Sequence, residues 1–532
     1  MTSFDTVSLA DWRRIRRYAV PQRMITECGS ARERGDWRAA CAAARFDVDF
    51  DPELAGEAAE RAAHLAPDLL RWHLPRTRYG STTLVGWNRY LLIPDERVGP
   101  RTVLLTVRTP DSMTGTQRLT LEAVRGASAL RGGQAVPVPA YLWDARHASG
   151  LRAALGGSAD RLPLFTPAGD PLSEDLIGTG DDLPARAERV WRAPRTTDAL
   201  AEAGLDVGDW LADTSWLLRY FDVTRLDHDI RWLAARLGGS VWGVYGSSYA
   251  YLKIRVDAEP MRVSWVGGSL RSRDRDVLPP GTHLDMLRST ADLELIRRGR
   301  LSPGDLHPLV RAVLFPGTPA PPPEPDLPLG GELVRVRCGG VWHEIEVRLG
   351  RLDPLAHTPE ERQRERAMRA FGGTVTGCFE VENIWYGAPG RLPRQLRAYR
   401  IDLWQRLVHG GTRLLNELLD AGLDPHLRDS AGGTVIHQLK SFDHRLLLPR
   451  LLAEGVDINA RDRAGLTALH RTVVEQGPPD LIIALIDAGA DVSVCNREGE
   501  TVFAYAKKIL RTWGNLNDDY QRALQHLLGR SR

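Results

Sequence analysis

Asp429-Ser430-Ala431-Gly432-Gly433-Thr434-Val435-Ile436-His437 returns 33 residues later as Asp462-Arg463-Ala464-Gly465-Leu466-Thr467-Ala468-Leu469-His470. A weaker copy runs from Asn496 to Ala504; it keeps Gly499 and Thr501 and has Ala504 in place of the histidine. A second signature recurs in phase with the first: Leu418-Leu419 with Gly422-Leu423-Asp424, Leu451-Leu452 with Gly455-Val456-Asp457, and Leu485-Ile486 with Gly489-Ala490-Asp491. Two signatures sharing one period mark an internal repeat, and each repeat is one supersecondary unit that cannot bury its apolar face alone.

The spacing has a physical reading. Gly422, Gly455 and Gly489 follow leucine-rich segments and suit a left-handed helix terminus, while Thr434 and Thr467 are placed to cap the next helix. The leucines fill the seam between units, so Leu469→Ala is expected to cost about 2–5 kcal/mol. His437 and His470 read as repeat-signature residues that hydrogen-bond backbone, not as ligands or catalysts.

These residues resemble the ankyrin repeat, whose unit of about 33 residues opens on a T-P-L-H-like tetrapeptide. The resemblance covers residues 393–532, with two well-matched repeats between degenerate caps. It implies an all-α solenoid and a recognition surface of loop tips and inner helices. Stretches such as Arg17-Tyr18-Ala19-Val20-Pro21 and Ala66-Pro67-Asp68-Leu69-Leu70-Arg71-Trp72 are similar to ankyrin-containing proteins of high-GC bacteria, a likeness that implies no activity. At the tips, Arg428 matches Arg461 and Arg463 matches Arg497, which makes them the candidate contacts for a protein partner with an acidic patch.

Upstream, residues 316–331 carry Pro319, Pro321, Pro322, Pro323, Pro325 and Pro328, a composition that continues neither helix nor sheet and reads as a linker. Between linker and repeats, residues 332–392 read as a hairpin plus helix. Val334, Val336 and Cys338 alternate with Arg335 and Arg337, Gly339-Gly340 turns the chain, and Val341, His343, Ile345 and Val347 return it. Thr358-Pro359-Glu360-Glu361 then starts a helix. Residues 1–75 read as a helical subdomain and 76–315 as an α+β domain, in which Val103, Leu105 and Val107 mark one strand and Leu119, Leu121 and Ala123 the next. Residues 144–190 read as mostly loop, and Ala250–Val256 pairs with Met261–Trp265 as a hairpin. The expected fold is thus an α+β N-terminal region followed by an all-α ankyrin-repeat solenoid.

A chain of 532 residues is too long for one core. Its 43% hydrophobic and 26% charged residues are those of an ordinary globular protein, and a net charge of +2 gives no global attraction to nucleic acid. Neither a signal-peptide core nor a membrane-length apolar run stands out, so the expected place is the cytoplasm with no membrane partner. Cys28, Cys41, Cys338, Cys378 and Cys495 are scattered, odd in number and never in a CxxC pair, so they suggest neither a disulfide framework nor a zinc site.

Catalytic signatures are wanting: the expected catalytic, cofactor and metal residues are none. Gly178-Thr179-Gly180 lacks the third glycine of a dinucleotide fingerprint, and none of the four lysines lies in a Gly-rich loop. Asp227-His228-Asp229 and His283 with Asp285 have no partner at metal-ligand spacing, and His343 reads as a core histidine. Arg13, Arg14, Arg16 and Arg17, and Arg391, Arg394, Arg397 and Arg400, read as solvated helix faces. The first functional reading is an adaptor that binds a protein through the repeats. The second is an enzyme with an unrecognised site in 76–315, and the third a nucleic-acid binder using the Arg-rich helices.

Overall fold

The computed structural model describes residues 6–76, 82–110, 115–126, 135–194, 196–207, 222–247, 250–267, 281–283, 286, 291–322, 331–354, 357–371, 375–512 and 518–529. The chain forms two compact units: residues 1–113 with 117–323, and residues 324–532 with 114–116. Among the described residues no helix is long and apolar enough to cross a membrane.

The first unit is built on a five-stranded sheet of β1 (Phe46–Val48), β2 (Arg89–Ile93), β3 (Val103–Arg108), β4 (Leu119–Arg125) and β5 (Val136–Pro139), in the order β1-β4-β3-β2-β5. β1 pairs with β4 and β2 with β5 in parallel; β2-β3 and β3-β4 are antiparallel. Both faces are covered. Tyr90, Leu92, Val103, Leu105, Val107, Leu119 and Leu121 enter one core with Met24, Ile25, Leu69, Leu70 and Trp72 of the N-terminal helices. Leu91, Ile93 and Leu104, from the opposite parity, enter a second core with Leu226, Ile230 and Leu233 of the Val223–Leu237 helix. Into that core also point Trp242, Val244, Leu252 and Ile254 from a sheet of β6 (Val241–Ser247), β7 (Ala250–Arg255), β8 (Arg262–Gly267) and β9 (Gly281–His283), ordered β8-β7-β6-β9.

Several buried charged groups of this unit are paired, while Arg71 and Arg76 donate to backbone carbonyls. Arg16 meets Asp292 and donates to the Trp72 carbonyl at 2.7 Å. Asp68 lies between Arg32 Nη1 at 2.7 Å and His307 Nε2 at 2.9 Å. Burial alone would raise its carboxyl, yet His307 and Arg32 hold it below the usual range. The 144–190 stretch holds a 3₁₀ turn, Ala145–His147, the α-helix Gly150–Ala154 and most of the α-helix Leu183–Arg192. Buried Glu188 of the second α-helix gathers Leu164 N and Gly178 N, both at 2.7 Å, and Arg161 Nη1 at 2.6 Å from the loop between the two α-helices, so one carboxylate ties the loop to the helix.

The second unit opens on an antiparallel meander of β10 (Glu332–Cys338), β11 (Val341–Arg348) and β12 (Arg351–Pro354). Gly339 and Gly340, with φ of 57° and 89°, form its two-residue turn, a backbone that glycine takes without strain. Val334, Val336, Ile345 and Val347 are buried on the inner face, while Arg335, Arg337, Trp342 and Glu344 are exposed. Helices Pro359–Ala370 and Gly377–Trp385 follow, then a helical run Arg394–Asp420 broken at Gly411, where φ is 71°. Among the described residues the remaining α-helices are His444–Ala453, Ala468–Val474, Pro479–Asp487, Val502–Thr512 and Asp518–Gly529.

The expectation of an all-α ankyrin-repeat solenoid behind an α+β region is overturned. Among the described residues the fold is mixed in both units, with twelve strands in three sheets. The C-terminal helices do not form an all-α body of their own: one core runs from Val334 and Ile345 of the meander through Trp385 and Leu403 to Leu524 and Leu527. The join is hydrogen-bonded, with Trp385 Nε1 donating to the Gly350 carbonyl at 2.8 Å and Asp424 N to the Leu349 carbonyl at 3.0 Å. Val435–Ser441, moreover, is a 3₁₀ helix where its counterpart Ala468–Val474 is α. The cap at Thr434 lies nine residues from the next cap, Asp443, whereas Thr467 lies eleven from Pro478. A 3₁₀ segment climbs about 2.0 Å per residue instead of 1.5 Å, so the shorter segment covers a comparable distance.

Candidate metal centre and the repeat tips

Strand alternation brings the first two residues of the centre together. Cys338 ends the inner face of β10, and His343 faces Val336 across the ladder on the inner face of β11. His357 immediately precedes Thr358, which caps the Pro359–Ala370 helix by a reciprocal pair: Glu361 N donates to Thr358 Oγ1 at 3.2 Å and Thr358 N to Glu361 Oε2 at 3.0 Å. Cys378 lies in the first turn of the Gly377–Trp385 helix, where the end of the helix dipole favours a thiolate.

The donor atoms converge. His343 Nδ1 and His357 Nε2 are 3.1 Å apart, Cys338 Sγ is 3.8 Å from His357 Nε2, and Cys378 Sγ is 3.7 Å from His343 Nδ1. All four lie within 4.8 Å of one another, a donor set able to hold a metal ion. Cys378 is fully buried, and the His357 side chain is 9% exposed with the Phe379 ring 4.5 Å from its own. Burial, and then the neighbouring Cys338, push the Cys378 thiol up to about 12.

Neither the scattered cysteines nor His343 suggested this group. Its spacing, Cys-x₄-His-x₁₃-His-x₂₀-Cys, matches no compact finger, and the link between hairpin and helices is tertiary. The available signal was the alternation that puts Cys338 and His343 on one face at one end of a single hairpin.

The tip residues stand elsewhere in the same unit. Successive tips are joined by Arg463 N to Ala431 O at 2.9 Å and Arg497 N to Ala464 O at 3.0 Å. Each tip turn is organised by one side chain. Asp429 Oδ1 accepts from Ala431 N and Gly433 N, Asp462 Oδ1 from Ala464 N and Leu466 N, and Asn496 Oδ1 from Glu498 N and Glu500 N. Arg428 Nη1 donates to the Gly432 and Arg461 carbonyls, and Arg463 Nη1 to that of Ser430. Arg461, Arg463 and Arg497 are exposed and Arg428 is half-buried. Among the described residues none of the four forms an ion pair.

No family model matches the chain, and no curated protein matches it.

The other sequence candidates are placed as follows. His437 Nε2 meets the Leu466 carbonyl at 3.1 Å while its Nδ1 accepts from Thr434 N at 3.0 Å, and His470 Nδ1 lies 2.9 Å from Thr467 Oγ1. Both rings are capping groups of the repeat. Asp229 is buried against Tyr141 and Arg225, with His228 beside it, while Asp227 turns away to Arg231. Asp285 and the His283 side chain lie outside the described residues, as do Pro323, Pro325 and Pro328 of the Pro-rich stretch. The Arg-rich runs are not uniform solvated faces: Arg16 is buried on Asp292, and Arg400 is buried over the Trp385 ring at 4.4 Å, donating to the Trp385 carbonyl.

Proposed function

We propose that this chain is a binding protein that captures an acidic face of a protein partner through its 33-residue repeats. The reading rests on the resemblance of those repeats to the ankyrin repeat and on one observation: Arg428, Arg461, Arg463 and Arg497 lie at hydrogen-bonded tips, and among the described residues none of them forms an ion pair, although Arg461 acts at longer range on the Asp491 carboxylate. A cation at the surface that is not closed into an ion pair keeps much of its long-range field, which steers an acidic surface into register. Their hydrogen bonds to neighbouring carbonyls fix Arg428 and Arg463, so less side-chain entropy is lost on contact. Five free cysteines, two of them fully buried in the first unit, fit a reducing compartment such as the cytoplasm.

The test is affinity capture from the native cell with the full chain and with Arg461→Glu/Arg463→Glu, at low and at raised salt. A partner retained by the native chain, weakened by salt and lost on charge reversal supports the reading. Capture that charge reversal leaves unchanged refutes it.

A further inference from the structure

We infer that Cys338, His343, His357 and Cys378 form a closed tetrahedral site for one Zn²⁺ ion, which pins the Pro359–Ala370 helix to the β10-β11 hairpin. The inference is independent of the partner-binding reading.

Geometry is the first argument. Zn–S bonds of about 2.3 Å and Zn–N bonds of about 2.0–2.1 Å at tetrahedral angles put neighbouring ligand atoms about 3.3–3.8 Å apart. Three of the six edges are 3.1 Å between the nitrogens and 3.7 and 3.8 Å between sulfur and nitrogen, and none exceeds 4.8 Å. Hydrogen bonding does not account for such an arrangement, because a proton can satisfy one edge between two donor atoms but not four atoms directed at one centre. A cation satisfies all of them together.

The surroundings are those of a built site. His357 turns Nε2 to the cluster and Nδ1 to Glu361 Oε2 at 3.4 Å, the carboxylate support that fixes the ring and tautomer of a metal-bound histidine. Glu361 is itself held by Thr358 N. Gly377, with φ of +64°, leaves room for the sulfur: a Cβ there would stand 2.5 Å from Cys338 Sγ and 2.9 Å from its Cα. Two thiolates and two imidazoles select a borderline-soft tetrahedral ion over Mg²⁺ or Ca²⁺, and four protein ligands leave no position for a substrate water. The site is structural.

The helix it anchors has little else to hold it. Its described side chains are mostly exposed, with Met368 at 53%, and Arg362 to Asp353 at 2.8 Å ties it to β12. Metal ligation thus supplies the cohesion that this small piece lacks in apolar burial.

The test is metal analysis of the full chain purified without chelator, alongside Cys338→Ser/Cys378→Ser and His357→Gln, with Co²⁺ exchanged into the native chain. Expected are about one zinc per chain, near-complete loss in the double variant, and visible absorption of a tetrahedral cobalt thiolate. Hydrogen exchange should quicken over 359–370 when the metal is stripped, while the Leu92 and Leu105 amides of the first unit stay protected. A native chain that binds neither Zn²⁺ nor Co²⁺ under reducing conditions, or one whose intact mass shows Cys338 joined to Cys378 by a disulfide, overturns the site. Because the cobalt spectrum is read on the native chain, misfolding of a variant leaves the test intact.

Discussion

Replacing Asp462 by alanine removes the atom around which one repeat tip is folded. Asp462 Oδ1 accepts from Ala464 N at 2.8 Å and Leu466 N at 2.9 Å, while Oδ2 receives Arg471 Nε at 2.9 Å and Nη2 at 2.8 Å. The carboxylate is 2% exposed and Arg471 13%, so water replaces little of what is lost. Hydrogen bonds to charged groups contribute about 1.5–3 kcal/mol and breaking a buried pair costs about 3–5 kcal/mol, contributions that do not add; about 3 kcal/mol is expected for Asp462→Ala. Asp462→Asn separates the turn from the charge. It keeps Oδ1 for the two amides but turns an amide donor toward the Arg471 guanidinium, so the ion pair is lost while the turn is kept, a role Asn496 already performs at the next tip. About 2 kcal/mol is expected there, less than for alanine because the turn survives and Arg471 retains Glu475 at 3.9 Å. The assay is urea unfolding of the full chain, with hydrogen exchange at Ala464 and Leu466 reporting the tip itself. If asparagine is as damaging as alanine, the ion pair and not the turn carries the stability, and the reasoning fails.

Glu188→Gln places an amide donor against Leu164 N or Gly178 N, so both amides should exchange faster and the first unit should lose about 2–4 kcal/mol in the same titration. Leu469, 1% exposed in the seam, should lose about 2–5 kcal/mol on truncation to alanine, read as a lowered urea midpoint with an unchanged slope. Burial first, and Arg471 next, lower the pKa of His437 below its ordinary value. The unfolded chain therefore binds the extra proton more readily, and stability should fall as pH drops below about 6.5 towards the lowered folded value. Melting scans across that window should show a shallower acid loss in His437→Ala; an identical loss would exclude this ring as a contributor.

The repeats were legible because their signals are local: Thr434 and Thr467 cap, and Gly422, Gly455 and Gly489 take φ of 96°, 82° and 93°. What periodicity could not supply was their surroundings, since the docking of Trp385 on Gly350 joins the helices to a sheet 35 residues upstream in sequence. Alternation found Val103, Leu105 and Val107 but understated β3, in which Leu104 and Thr106 are fully buried as well. A strand covered on both faces reads as a near-continuous apolar run rather than an alternating one. The four-residue centre was the least visible feature, because its members become neighbours only after hairpin and helices have docked. Alternation puts His343 on the apolar face of its strand, and that position suits a core histidine and a ligand equally well.

The five-stranded sheet carries a consequence for how the first unit tolerates change. Leu91, Ile93 and Leu104 belong to one core, and Tyr90, Leu92 and Leu105, their immediate neighbours, to the other. A single-residue insertion or deletion within β2 or β3 would exchange the two sets, sending side chains fitted to one packing environment into the other. Length variation should accordingly be confined to the connections, and within these strands change should proceed only by substitution in place. The two halves of this unit are bound to a common reading frame, so neither can drift in length without carrying the other with it.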